Sequence, residues 1–159
     1  MRELIVYTDG ACSGNPGVGG FAALVIDGKK RFLIRGKSVK TTTNNRMELQ
    51  PIESVLTWVD KTIKEPCSIK IHTDSSYVIV CTNTKMKDGS KKTSGWYKNR
   101  ANEDLWMSII RKGVKGGHKL SFVKVSGHAG DPCNEYCNTI AQEECAEAKE
   151  EWKRANSQQ

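Results

Sequence analysis

Leu4-Ile5-Val6-Tyr7 is an unbroken run of large apolar residues that passes through Thr8 into a single acid, Asp9, and then into Gly10. A strand-favouring run with no polar alternation belongs to a strand covered on both faces, in the middle of a sheet. In open α/β sheets, working residues gather where strands end at their carboxyl edge, and Asp9 stands at such an end. An aspartate there also serves simply to open a turn. The rest of the chain has to decide between a turn and a site.

After Asp9, the segment Gly10 to Gly20 holds Gly14, Asn15, Pro16, Gly17 and Gly19, and reads as a tight, backbone-exposing connection. Its glycine spacing is neither a dinucleotide nor a P-loop fingerprint, and strand residues follow it rather than a helix. Phe21 to Ile26 and Arg31 to Ser38 form a second and third strand around an Asp27-Gly28 hairpin signal, completing an antiparallel meander. Thr41-Thr42-Thr43-Asn44-Asn45 is rich in capping residues and opens a helix. Within it, Glu48 shares a stripe with Ile52, Val55 and Val59, which aims its carboxylate at the sheet. A buried-side acid is costly unless it is paired or bound to a cation; a place at the stripe's edge, favouring the helix dipole, is the plainer reading. Pro51 lies inside this pattern, so the regular helix either begins later than Asn44 or bends near Glu48.

Ser68 to Asp74 is a fourth strand that again ends in an acid, and Ser75-Ser76 caps a short helix to about Cys81. A strand, a helix and a returning strand make a parallel crossover, and if the fourth strand lies beside the first, Asp9 and Asp74 meet about 5 Å apart. From Thr82 to Ala101 the chain is lysine-rich, with Trp96 and Tyr97 among the charges, which suits either phosphates and stacking or a solvated loop. Asn102 caps a helix that Gly113 ends, Lys119 to Val125 is the fifth strand, and His128 sits between glycines on a loop. Asp131 and Pro132 start the last helix, whose apolar face carries Cys133, Cys137, Ile140, Ala141 and Cys145, with a frayed tail from about Arg154.

The 159 residues suit a single domain over 1–159 with a real core. No apolar run of about 18 residues occurs and the first strand starts too soon for a secretory leader. The expectation is a cytoplasmic monomer with no membrane partner. The six cysteines match no common zinc spacing and read as reduced thiols. The net charge of +7 is polarised: Lys29 to Lys40 carries six basic residues and no acid, while Glu143 to Glu151 carries five glutamates and one lysine. Basic faces suit a polyanion, and the acidic end is expected to point away from it.

Four blocks together resemble type 1 ribonuclease H: Tyr-Thr-Asp-Gly-Ala-Cys-Ser-Gly-Asn-Pro-Gly (7–17), Thr-Thr-Asn-Asn-Arg-Met-Glu-Leu (42–49), Thr-Asp-Ser-Ser-Tyr-Val (73–78) and Val-Ser-Gly-His-Ala-Gly (125–130). Their order and spacing match that family over about residues 4 to 148. The resemblance implies a ribonuclease H-like α/β fold, a five-stranded mixed sheet flanked by helices, and an endonuclease that cuts the RNA strand of RNA–DNA hybrids. It implies two magnesium ions with substrate, manganese being a substitute, held by Asp9, Glu48, Asp74 and the residue at position 138. Hard cations of this kind take carboxylate, phosphate and water oxygens, activating a water and stabilising a leaving oxygen. His128 resembles the family's mobile histidine, suited by its ordinary titration range to moving protons. Asn15, Thr43, Asn44 and Asn45 resemble the sugar and phosphate contacts. Ser76 stands where relatives often have glutamine, which weakens or removes that contact. Lys85 to Arg100, with Lys91, Lys92 and Trp96, corresponds to the basic protrusion that grips the duplex. Distinguishing RNA from DNA then depends on the 2′-hydroxyls, because an A-like hybrid offers little for sequence readout.

The departure is Asn138, where the family carries its fourth acid. Asparagine keeps the shape and one carbonyl ligand but loses the charge that hard cations prefer, so the second ion is expected to bind more weakly and cleavage to be slow or absent. Two origins stay open: an engineered substitution that traps an uncut complex, or a natural residue compensated by Glu135, three positions earlier on the same helical face. Two function classes stay open with them, a metal-dependent ribonuclease and a catalytically silent hybrid-binding module.

Overall fold

A computed structural model describes residues 1–83, 101–126 and 130–157. Strands β1 (Arg2–Ser13), β2 (Gly17–Asp27) and β3 (Lys30–Thr42) form an antiparallel meander, followed by α1 (Asn44–Thr62), β4 (Cys67–Thr73), α2 (Ser76–Asn83), α3 (Glu103–Lys115), β5 (Lys119–Lys124) and α4 (Pro132–Ser157). The five strands order as β3-β2-β1-β4-β5, with β1 central, antiparallel to β2 and parallel to β4, which is itself parallel to β5. The expected ribonuclease H-like sheet, an antiparallel meander passing into parallel strands, is the sheet observed.

Both faces of the sheet are covered, as the Leu4–Tyr7 run requires. On one side Leu4, Val6, Ala23, Val25, Ile69 and Ile71 pack against Leu49, Ile52, Val55 and Val59 of α1 and against Leu105, Trp106 and Ile109 of α3. On the other, Ala22 and Leu24 pack against Cys137, Ile140 and Ala141 of α4. Each large side chain buried in this way contributes about 1.5–3 kcal/mol. Gly20 lets α4 lie directly on β2: an added Cβ would stand 2.4 Å from the Cys145 nitrogen and 2.5 Å from the Ala141 oxygen.

Several local expectations are corrected. The glycine-rich segment is not one long connection, because its residues pair as strand (Gly10 with Phe21, Ala11 with Gly20, Cys12 with Gly19), leaving Gly14–Pro16 as the turn. The ladder supplies partners for the backbone there, and that outweighs glycine's loop preference. Gly113 does not end α3; it is buried inside the helix, 3.4 Å (as an added Cβ) from Leu120 of β5, and the cap falls at Gly116 with Gly117 left-handed. Asn102 precedes α3 but does not cap it with its side chain, which instead donates to the Tyr77 hydroxyl and accepts from Arg46. The tail is not frayed from Arg154, since α4 is continuous to Ser157. Helix α1 starts at Asn44 with Pro51 inside it, which removes the later-start alternative.

The acidic end of α4 lies against part of the basic run. Arg35 of β3 pairs with Glu144 at 2.5 Å and Glu143 at 3.2 Å, and Lys37 pairs with Glu147 at 2.8 Å and Glu151 at 2.9 Å. The glutamates of α4 thus neutralise two cations of the Lys29–Lys40 run. All six cysteines are free thiols. Among the described residues, no helix is long and apolar enough to cross a membrane.

Candidate active site

Strand β4 stops at Thr73, paired with Thr8 of β1, so the next residue of each strand emerges where β1 outruns its neighbour. Those residues are Asp9 and Asp74. From the α1 side the stripe containing Ile52 and Val55 delivers Glu48 to the same place. Each of the three offers a carboxylate oxygen, and those oxygens all lie within 4.8 Å of one another. Strand end, strand end and helix stripe converge as expected.

Their approach depends on Gly10 and on Pro51. Pro51 has no N–H, so the Met47 carbonyl one turn earlier loses its intrahelical donor. That same carbonyl faces Gly10, where an added Cβ would stand 2.3 Å from its oxygen. The bare glycine therefore lets α1 come down on β1 next to Asp9, while its own N–H donates to the Asp9 carboxylate at 2.9 Å.

Three acids this close repel one another when ionised. Asp9 is only 4% exposed, and burial first, then the charge of Asp74, pushes its pKa up to about 6. Glu48 is pushed well above the usual carboxylate range, by burial first and then by Asp9 and Asp74. One Glu48 oxygen is buried with no hydrogen-bond partner among the described residues. Hard oxygen donors, mutual repulsion and an orphaned carboxylate oxygen fit a divalent cation.

The remaining candidates fall around this cluster in different ways. Asn138 is half-buried on α4, and its amide oxygen accepts from Gln142 of the same helix at 3.2 Å. The preceding residue, Cys137, reaches the Tyr7 carbonyl at 3.4 Å, which seats that turn of α4 against β1 two residues before Asp9. Burial, and then the charge of Asp9, pushes the Cys137 thiol up to about 12. Glu135 is exposed and is not part of the three-acid group. Asn15 accepts from the Asn44 backbone at 3.0 Å, tying the β1–β2 turn to the start of α1, and Thr43 caps α1 by accepting from Arg46. Asn15, Asn44, Asn45 and Ser76 are exposed. His128, Lys91, Lys92 and Trp96 lie outside the described residues.

Three nearby side chains escaped the sequence reading. Lys124, in register with Thr73, donates to the Asp74 carbonyl and, at 3.1 Å, to the Ser76 hydroxyl. Asn134 is 3% exposed with its amide oxygen unpartnered among the described residues, one turn before Asn138 on the same helical face. His72 stacks on Tyr7 with ring centroids 4.5 Å apart, directly behind the two strand-end acids. The in-register pairing of β1 with β4 is the signal that would have found it.

An open mixed sheet with three convergent acids at its carboxyl edge defines a class, the α/β proteins with a carboxylate cluster at that edge. The chain belongs within that class to the RNase H family, which it matches over residues 1–146. It is 37% identical over 145 residues to a ribonuclease H of Caldicellulosiruptor saccharolyticus, covering 89% of this chain and 94% of that protein. It is 39% identical over 146 residues to one from Chlorobium phaeobacteroides, covering 90% and 95%. Among solved structures it is similar to LC9-RNase H1, described as a type 1 RNase H with the type 2 active-site motif, at TM-score 0.73 and 26% identity, covering 92% of this chain and 74% of that one. LC11-RNase H1, solved in complex with an RNA/DNA hybrid, shares the fold at TM-score 0.68 and 20% identity, covering 91% and 98%. Its relatives make this chain a nuclease.

Proposed function

We propose that this chain is an endonuclease that hydrolyses the RNA strand of RNA–DNA hybrids with magnesium held by Asp9, Glu48 and Asp74. The observation that carries the reading is the meeting of the three carboxylates within 4.8 Å. The hybrid bound by LC11-RNase H1 supports the substrate class. Bound at the cluster, a divalent cation polarises phosphate oxygens and acidifies a water. The chain's own part is to hold that geometry ready. Gly10 orients the Asp9 carboxylate, burial keeps water from the Glu48 oxygen, and the exposed Asn15, Asn44 and Asn45 line the approach with amide groups for sugar and phosphate. His128 is assigned to proton movement or product departure, and Lys91, Lys92 and Trp96 to gripping the duplex.

Asn138 contributes a neutral oxygen where an acid would bind the second cation more strongly, so this version cuts slowly. The test is cleavage of a labelled hybrid in magnesium and in manganese, against duplex DNA and duplex RNA. Asn138→Asp is expected to raise the magnesium-dependent rate at least tenfold, on the order of 1.4 kcal/mol in barrier, while Asp9→Asn abolishes cleavage. An unchanged rate in Asn138→Asp removes position 138 from the ligand set. Hybrid affinity without cleavage in either metal, persisting in Asn138→Asp, would instead identify a silent hybrid-binding module.

A further inference from the structure

We propose that the cleft between the last turns of α4 and the β1–β2 turn binds an unpaired nucleotide of a strand that continues past the hybrid, its base stacked on Trp152 and its phosphate met by Lys149. The inference rests on the hybrid reading above.

The cleft has a volume of about 240 Å³ and is lined by Ser13, Gly17, Val18, Thr41, Lys149 and Trp152. The match to the family ends at residue 146, but α4 runs on to Ser157. The turns of α4 beyond residue 146 bring Lys149 and Trp152 to the flank of the turn that carries Asn15. The fold does not need Trp152 as core. It is 48% exposed, a large aromatic face left open to solvent. Cys145, one turn before Lys149, reaches the Val18 carbonyl at 3.7 Å and holds this part of α4 beside the turn.

The charges suit a phosphate. Residues three and four positions from Lys149 are Cys145, Ala146, Trp152 and Lys153, so no acid stands beside it on its own helix face. The nearby Glu147 and Glu151 are both engaged by Lys37, at 2.8 and 2.9 Å, and Glu150 pairs with Lys153 at 3.6 Å. An aromatic face beside a cation that has no ion pair among the described residues is the combination that binds single strands without sequence preference. The position is also continuous with the site. Ser13 lies four residues along β1 from Asp9, about 13 Å at the usual strand rise, and Asn15 bonds across to Asn44 on the other flank of the same turn. A strand crossing this turn from the acid cluster arrives at the cleft. A base inside the duplex has both faces covered by its stacked neighbours, whereas an unpaired base past the duplex end is free to lay a face on Trp152, so the ligand is an unpaired extension.

The experiment measures binding in EDTA to blunt duplex DNA, to a blunt hybrid and to hybrids extended by a few unpaired nucleotides, with the extension placed on either end of either strand. One placement is expected to bind roughly fivefold or more tightly than the blunt hybrid, as one stacked base allows. The placement that gains also identifies the strand as RNA or DNA. Trp152→Ala should erase the gain, Trp152→Phe should keep most of it, and Lys149→Gln should reduce both the gain and its salt dependence. Blunt-hybrid affinity stays the same in all three variants. Equal affinity for blunt and extended hybrids overturns the inference while leaving the function intact, as does a gain that survives Trp152→Ala. A protein that prefers no hybrid over duplex DNA overturns the function itself, and this inference with it.

Discussion

Asp9 and Glu48 hold their protons more tightly in the folded chain than in the unfolded one, because burial and the neighbouring acids penalise the ionised forms. For a carboxyl whose folded pKa is raised, the folded state binds more protons between the two values, so stability falls as pH rises through that window. For Asp9 the window runs from 3.8 to about 6. Above it, the cation-free protein carries the full repulsion, on the order of 1–3 kcal/mol. Asp9→Asn is therefore expected to raise the Tm in EDTA at pH 7 and to leave it nearly unchanged at pH 4. Magnesium should raise the Tm of the unaltered protein at pH 7.5, and by less at pH 5, where protons compete for the same oxygens. Equal melting of the two proteins in EDTA at pH 7 would show that the acids are not in conflict. Glu48 and the two strand-end acids were legible in the sequence because each breaks its local pattern: a charge on an apolar stripe, or an acid closing a buried strand. Lys124 and Asn134 break none. A lysine ending an edge strand and an asparagine in a helix are ordinary residues until the register with Thr73 and the burial of α4 are known.

At the level of elements, the site depends on how closely α1 approaches β1. Met47 and Glu48 are adjacent, so whatever moves the Met47 carbonyl moves the Glu48 carboxylate. A methyl at position 10 would overlap that carbonyl, at 2.3 Å from its oxygen and 2.4 Å from its carbon. Backbone cannot rotate away as a side chain can, so the helix must shift. Gly10→Ala is expected to cost about 1–3 kcal/mol in denaturant unfolding, the range for overpacking a tight contact. It should also weaken magnesium affinity, read as a smaller metal-induced Tm increment. A variant of unaltered stability and unaltered increment would mean that α1 does not set the site. Pro51 looked like a defect in the sequence because only one side of its contact was visible. The Met47 carbonyl that it frees is the surface that Gly10 meets, and those two residues stand far apart in the sequence. The misread ends of α3 and α4 have a common cause. Gly113 and the polar turns after Arg154 are weak helix formers judged locally, and tertiary packing or simple continuation overrides that preference.

Over the whole molecule, the net charge of +7 says little until it is known which cations are already engaged. Composition shows a basic run and an acidic run but not that β3 and α4 lie side by side. The register of β3 turns Arg35 and Lys37 towards α4, and its glutamates take them up. Cations held in this way release no counterions when a polyanion arrives, whereas each cation that newly meets a phosphate adds about one unit to the slope of log affinity against log salt. Lys37→Gln is therefore expected to leave the salt slope of hybrid binding where it was and only to lower the Tm slightly. Replacing Lys91 and Lys92 together with glutamine should flatten the slope by about two units, because the resemblance assigns those residues to the duplex grip. A slope that falls with Lys37→Gln would show that the β3–α4 ion pairs open on binding and that this face, rather than the segment containing Lys91 and Lys92, carries the nucleic acid.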